Sequence, residues 1–186
     1  MKRTARRGVV PICMVFLALS CGPVSDEVDS TGPEGAMEAD PGLAAAAILH
    51  PTEGNDTEGI VAFEEMGGGI HVMAHVTGLS PGRYGLHVHE AGDCSSGDGA
   101  SAGAIFDPEG SNSKTPAGQL GEIEADESGM AHFMTDVHQI ALSEGPRSVV
   151  GRSVVIMTAG GETVATLACG VIEPQAPGAM REGSGY

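Results

Sequence analysis

Ile70-x-Val72-x-Ala74-x-Val76 alternates apolar with other residues at period two. That pattern puts every second side chain on one face of an extended strand and the rest on the other. Val149 to Met157 and Thr163 to Ile172 are rich in β-branched residues, whose stiff χ1 suits a pleated sheet better than a helix. Glycine and proline punctuate the runs at Gly67-Gly68-Gly69, Ser80-Pro81-Gly82, Gly110, Gly145-Pro146 and Gly160-Gly161. No run carries a helical period. Short strands with regular turn signals predict an all-β domain, an antiparallel sandwich or barrel. With no Trp, two Tyr and four Phe, its core must rest on Val, Ile, Leu, Ala and Met.

The two ends of the chain read differently. Lys2, Arg3, Arg6 and Arg7 precede a short apolar run, Val9 to Leu19, and the small residues of Ala18-Leu19-Ser20 stand before Cys21. This is the pattern of an export signal over residues 1–20, and the run is too short to span a bilayer as a mature helix. Cys21 is also placed as a bacterial lipoprotein acceptor, although Ala18 stands where that signal usually has Leu. The expected location is therefore the periplasm of a bacterium, free or anchored to the outer membrane through a lipid on Cys21. Residues 21–42 form an acidic stretch rich in Gly and Pro with little to bury, which predicts a flexible tether. Residues 174–186 predict a similar tail, and residues 43–173 are long enough for one domain with a single core.

Loss of the first segment leaves five basic residues against 25 acidic ones, a charge of −20 with His neutral. Such a surface excludes nucleic acid and anionic headgroups as partners and attracts cations. It leaves the membrane in contact only through the lipid. Of the four cysteines, Cys13 goes with the signal and Cys21 is lipidated or free, so Cys94 and Cys169 remain as one pair. In an exported chain a disulfide is the default, with two buried thiols as the alternative.

His87 and His89, in Gly85-Leu-His-Val-His-Glu90, are two residues apart. On a strand both imidazoles then project from one face, as two ligands of one copper or zinc ion would. The alternative is a pair of surface histidines. Asp93-Cys-Ser-Ser-Gly-Asp98 looks faintly like a calcium loop but lacks a closing Glu.

The segments around this pair decide between those readings. Gly85-Leu-His-Val-His-Glu90, Gly92-Asp-Cys-Ser95 and Ser101-Ala-Gly-Ala-Ile-Phe-Asp-Pro108 resemble the copper-site region of the Cu/Zn superoxide dismutases, bacterial exported forms included. So do Gly59-Ile-Val-Ala-Phe-Glu64, Val76-Thr-Gly-Leu-Ser-Pro-Gly82, Gly118-Gln-Leu-Gly121, Ser148-Val-Val-Gly-Arg-Ser-Val-Val-Ile156 and Leu167-Ala-Cys-Gly-Val-Ile172. The resemblance runs from about Ala44 to Ile172. It implies an eight-stranded antiparallel Greek-key barrel and a Cys94–Cys169 bridge, and it is compatible with a homodimer.

The resemblance implies much less of the chemistry. The first two copper histidines match His87 and His89, but the family's bridging histidine is Ile105 here and its fourth copper histidine is Met157. The remaining zinc positions hold Pro116 and Gln119, and the zinc loop between Pro108 and Pro116 has no His. The family's anion-guiding arginine is Thr166, and the loop carrying further steering charges is cut to Thr158–Thr163. Zinc is therefore not expected. Copper is expected, held by His87 and His89 and completed by Met157, whose soft thioether favours the cuprous ion. The equal alternative reading of Met157 is an apolar filler of the lost ligand's place.

A second cluster follows from strand alternation. If Val72, Ala74 and Val76 face the core, His71, Met73 and His75 face out, as do His132, Met134 and Asp136 on the segment Ala131 to Val137. Matching the family's sheet sets His75 across from His132, Met73 from Met134 and His71 from Asp136. That row is either a further metal patch or ordinary solvent-facing residues. Three functions compete: a copper-only dismutase, an exported copper-binding protein poorly active or inactive in dismutation, and a metal-free barrel kept for structure or partner binding.

Overall fold

The computed structural model describes residues 42–110, 115–160 and 164–176. The expected signal, most of the expected tether with Cys21, and residues 177–186 of the expected tail lie outside the described residues. Among the described residues no helix is long and apolar enough to cross a membrane.

Eight strands account for the fold: β1 (Ala44–Pro51), β2 (Glu58–Met66), β3 (Gly69–Thr77), β4 (Gly82–His89), β5 (Gln119–Ala125), β6 (Ala131–Val137), β7 (Ser153–Thr158) and β8 (Thr166–Gln175). β8 thus continues through Pro174 and Gln175, past the boundary at 173 suggested by composition. All the ladders are antiparallel, in the order β5-β4-β7-β8-β1-β2-β3-β6. β3 pairs with β6 and β4 with β7, the jumps over intervening strands that make a Greek key. The end strands β5 and β6 approach one another without a ladder, so the barrel is nearly closed.

The alternation in the chain sets which faces are buried. Ile70, Val72, Ala74 and Val76 of β3 point inward, and a slip of one residue would turn all four to solvent. Gly67 and Gly68 join β2 to β3 with φ of 59° and 86°, a turn that strongly favours glycine. The core gathers Phe63, Leu49, Leu86, Ile123, Ile156 and Ile172 with the valines of β2, β3, β4 and β7. Methionine departs from expectation. Among the described residues none belongs to the buried core: Met66, Met130 and Met134 are exposed, Met73 and Met157 half-buried. Alanines of β1 and the branched aliphatic residues fill the interior without it.

Cys94 and Cys169 form the expected disulfide, with Cα atoms 5.7 Å apart across 75 residues. It ties the segment after β4 to β8. The same segment is fastened by reciprocal bonds between Ser96 and Ser101 and by the Arg152 guanidinium, which donates to the Glu90 carbonyl and lies over the Phe106 ring. Asp93 and Asp98 accept backbone N–H groups of Ser95 and Ala100, so these carboxylates cap turns.

Candidate metal centre

Two β-bulges shape the site. The β4–β5 register shifts between Leu86 and His87, and the β7–β8 register shifts between Ile156 and Met157. Bulges re-aim the side chains beside them. Gly85 completes the arrangement: a Cβ there would stand 2.7 Å from His87 Nε2, so only glycine leaves that imidazole its place. His87 Nδ1 is then turned inward, buried and without a hydrogen-bond partner.

His89 is 6 % exposed. Its Nδ1–H donates to the Gly103 carbonyl at 2.8 Å, which fixes the tautomer and leaves a lone pair on Nε2. That Nε2 is also buried without a partner. Burial without a hydrogen bond is costly for a polar nitrogen, and a metal ligand is one way such a group is satisfied. Both imidazoles are held neutral. Burial pushes the His87 pKa below its ordinary 6.5, and the neighbouring His89 lowers it further. Burial likewise lowers His89, against smaller upward effects of the Gly103 carbonyl and Glu90. Neutral imidazole is the form that binds metal.

The rings stand 6.5 Å apart between centroids, with planes 19° from parallel. With metal–nitrogen bonds of about 2.0 Å, that separation is at the outer limit for two imidazoles on one ion, so a shared ion would need the rings to draw together. His87 opens into a hollow of about 350 Å³ whose wall includes Ile105, Gln119 and Met157. His89 opens into another of about 540 Å³. Met157 and Val164 line both.

The residues expected around the pair fall as follows. Ile105 forms an isolated antiparallel bridge with His89, so it lies beside the site as an apolar wall. Met157 packs against Ala102, Val155 and Cys169 while facing both hollows. Among the described residues no group of three or more His, Cys, Asp or Glu is placed to hold a metal ion. The hollows carry three carboxylates, Glu53 and Asp98 near His89 and Glu122 near His87, none of which was expected at this site; in sequence Asp98 reads only as the end of a calcium-like loop. Asp98 is kept ionised by hydrogen bonds from the Ala100 N–H and Ser96. No described lining residue is Lys or Arg.

Residues 57–172 match the family model for copper/zinc superoxide dismutase. The chain belongs to the copper/zinc superoxide dismutase family. It is 40% identical over 117 residues to superoxide dismutase [Cu-Zn] 2 of Brassica juncea, covering 59% of this chain and 74% of the relative. The crystal structure of the clock protein EA4 superposes with a TM-score of 0.59 at 34% identity, over 70% of this chain and 93% of that one.

In this family member, the lowered histidine pKa values carry a pH signature. Between the folded pKa values and 6.5 the unfolded chain binds more protons than the native one. The stability associated with neutral His87 and His89 is complete above about pH 6.5 and is lost as pH falls toward the folded values. Metal-free protein should therefore lose Tm below that pH more steeply than His87→Gln/His89→Gln. Parallel Tm–pH curves for the two proteins would refute it.

Proposed function

We propose that the chain is an exported copper-binding protein, poorly active or inactive in dismutation, that holds copper at His87 and His89 and takes no zinc. The observation that carries this reading is the pair of buried, unpartnered nitrogens, His87 Nδ1 and His89 Nε2, in the strand pair where the family's resemblance expects copper. The small number of nitrogen donors and the soft thioether of Met157 beside His87 favour the cuprous state. Copper, when bound, supplies a redox-active centre. By the family resemblance Ile105 stands in place of the bridging imidazole, and among the described residues no group of three or more His, Cys, Asp or Glu is placed to hold zinc.

Slow dismutation follows from charge as well as ligands. Superoxide is an anion, and the described walls of both hollows present carboxylates and no cation. An active copper-only dismutase and a metal-free barrel are the alternatives. Export by residues 1–20 and anchoring through Cys21 belong to the same proposal. So does a homodimer, for which Ile48 and Ile60, exposed and paired across β1 and β2, are the apolar contact.

The test is a Cu(I) titration of the purified chain against a chromogenic chelator, with superoxide consumption and molar mass read on the same sample. Tight binding that His87→Ala/His89→Ala abolishes at this site, with turnover at least a thousandfold below the diffusional limit, is the expected result. Rapid superoxide removal would establish the enzyme instead, copper binding indifferent to both substitutions would put the copper elsewhere on the chain, and no copper binding at all would leave the metal-free barrel.

A further inference from the structure

The outer face of β3 and β6 carries a second set of soft and imidazole donors, in the half of the sheet opposite to β4 and β7. The register pairs His75 with His132, Met73 with Met134 and His71 with Asp136. On its other side β3 pairs with β2, so the same three rows continue to Ile60, Ala62 and Glu64. Met134 is 71 % exposed, His75 and His132 are exposed and Met73 is half-buried.

The histidine pair has a specific geometry. His75 Nδ1 and His132 Nδ1 lie 3.1 Å apart, with ring centroids at 4.4 Å and planes tilted by 59°. Two nitrogens bound to one ion at about 2.0–2.1 Å, with an angle near 90–110° between them, stand about 2.9–3.4 Å apart. The apo arrangement thus already has the spacing of adjacent ligands. His71 is not part of the set, because its Nδ1 pairs with Asp136 Oδ1 at 2.7 Å. The next row toward it supplies thioethers from both strands, within reach of long, flexible side chains.

We propose that His75, His132, Met73 and Met134 form a second copper site, selective for Cu(I), independent of the His87–His89 pair. Two imidazoles with two thioethers make a soft, uncharged donor set, which suits the cuprous ion and serves zinc or calcium poorly. In the apo pair one Nδ1–H donates to the other Nδ1; on binding, that ring carries its proton on Nε2 instead, so that both Nδ1 lone pairs face the ion. The acidic chain, net −16 over its full length, draws the cation to this open face.

The experiment is Cu(I) titration of the full chain under ascorbate, which keeps copper cuprous. It compares wild type, His87→Ala/His89→Ala and His75→Ala/His132→Ala. The expected result is two equivalents in wild type and one in each double variant. Met73→Leu/Met134→Leu should fill the outer site at least tenfold more weakly for Cu(I) and leave Cu(II) affinity unchanged. Full wild-type stoichiometry in His75→Ala/His132→Ala overturns the site, and zinc competing there as strongly as Cu(I) overturns its selectivity. If wild type binds one equivalent that His75→Ala/His132→Ala loses, the outer site stands and the inner one fails. Far-UV circular dichroism of each variant separates loss of ligands from loss of fold.

Discussion

Replacing Cys94 and Cys169 by alanine is expected to lower the unfolding free energy by about 4 kcal/mol. The bridge spans 75 residues, and closing a loop of that length removes about that much chain entropy from the unfolded state. Domains of this kind are commonly stable by only about 5–15 kcal/mol, so the loss is a large share of the whole. The consequence reaches the metal centre. The bridged segment carries Gly103, whose carbonyl holds His89 Nδ1–H, and Ile105, which bridges to His89 directly. Loosening it frees the His89 ring to turn, so copper affinity at the inner site should fall along with stability. Arg152 and Ser153 still fasten the segment through Glu90 and Ala91, which keeps the barrel folded enough to assay. Urea unfolding of wild type and variant reads the first effect, and Cu(I) competition reads the second. A stability loss below about 1 kcal/mol would show that the segment is held by its hydrogen bonds and the bridge is dispensable.

What could be read from the chain, and what could not, divides on physical lines. Strand faces were legible because period-two alternation admits only two phases, and burial of one face chooses between them. The cross-strand rows His75–His132, Met73–Met134 and His71–Asp136 followed once the neighbouring strands were identified, and the register places them so. The disulfide was legible from Cys94 and Cys169 being the two cysteines inside the expected domain and from the family resemblance. The fate of methionine was not, since hydrophobicity alone does not say whether a flexible side chain fills the core or lies on a strand's outer face. Nor were the bulges at Leu86/His87 and Ile156/Met157, which leave no composition signal. The place of Glu53, Asp98 and Glu122 beside the histidines was missed because they come from separate parts of the chain and reach the hollows only in the fold. The Gly103 carbonyl, the Gly85 approach and the orphaned nitrogens are atomic matters. A motif names the residue, but not which nitrogen is left free.

Substituting Ile105 by histidine is expected to raise Cu(II) affinity at the inner site by at least tenfold, about 1.4 kcal/mol. Ile105 is half-buried, bridges to His89 and lines the hollow into which His87 opens, so a side chain there faces the same space. A third imidazole turns a two-histidine pair into a set acceptable to the cupric ion, which prefers more nitrogen donors in a squarer arrangement. The exchange should cost about 1 kcal/mol of stability in the metal-free protein, because an aliphatic contact is replaced by a polar ring. Competition titration measures the affinity, and the electron paramagnetic resonance spectrum of the cupric form counts the added nitrogen. Unchanged Cu(II) affinity with a folded variant would mean that copper does not bind beside His87 within reach of position 105. Superoxide turnover should stay low even when Cu(II) binds, since Glu53, Asp98 and Glu122 still repel the anion. Adding Glu53→Gln and Asp98→Asn should then raise turnover, and should raise it most at low ionic strength, where the carboxylates are least screened. That order of effects separates the two defects: one substitution repairs the ligand set, and the others repair the approach.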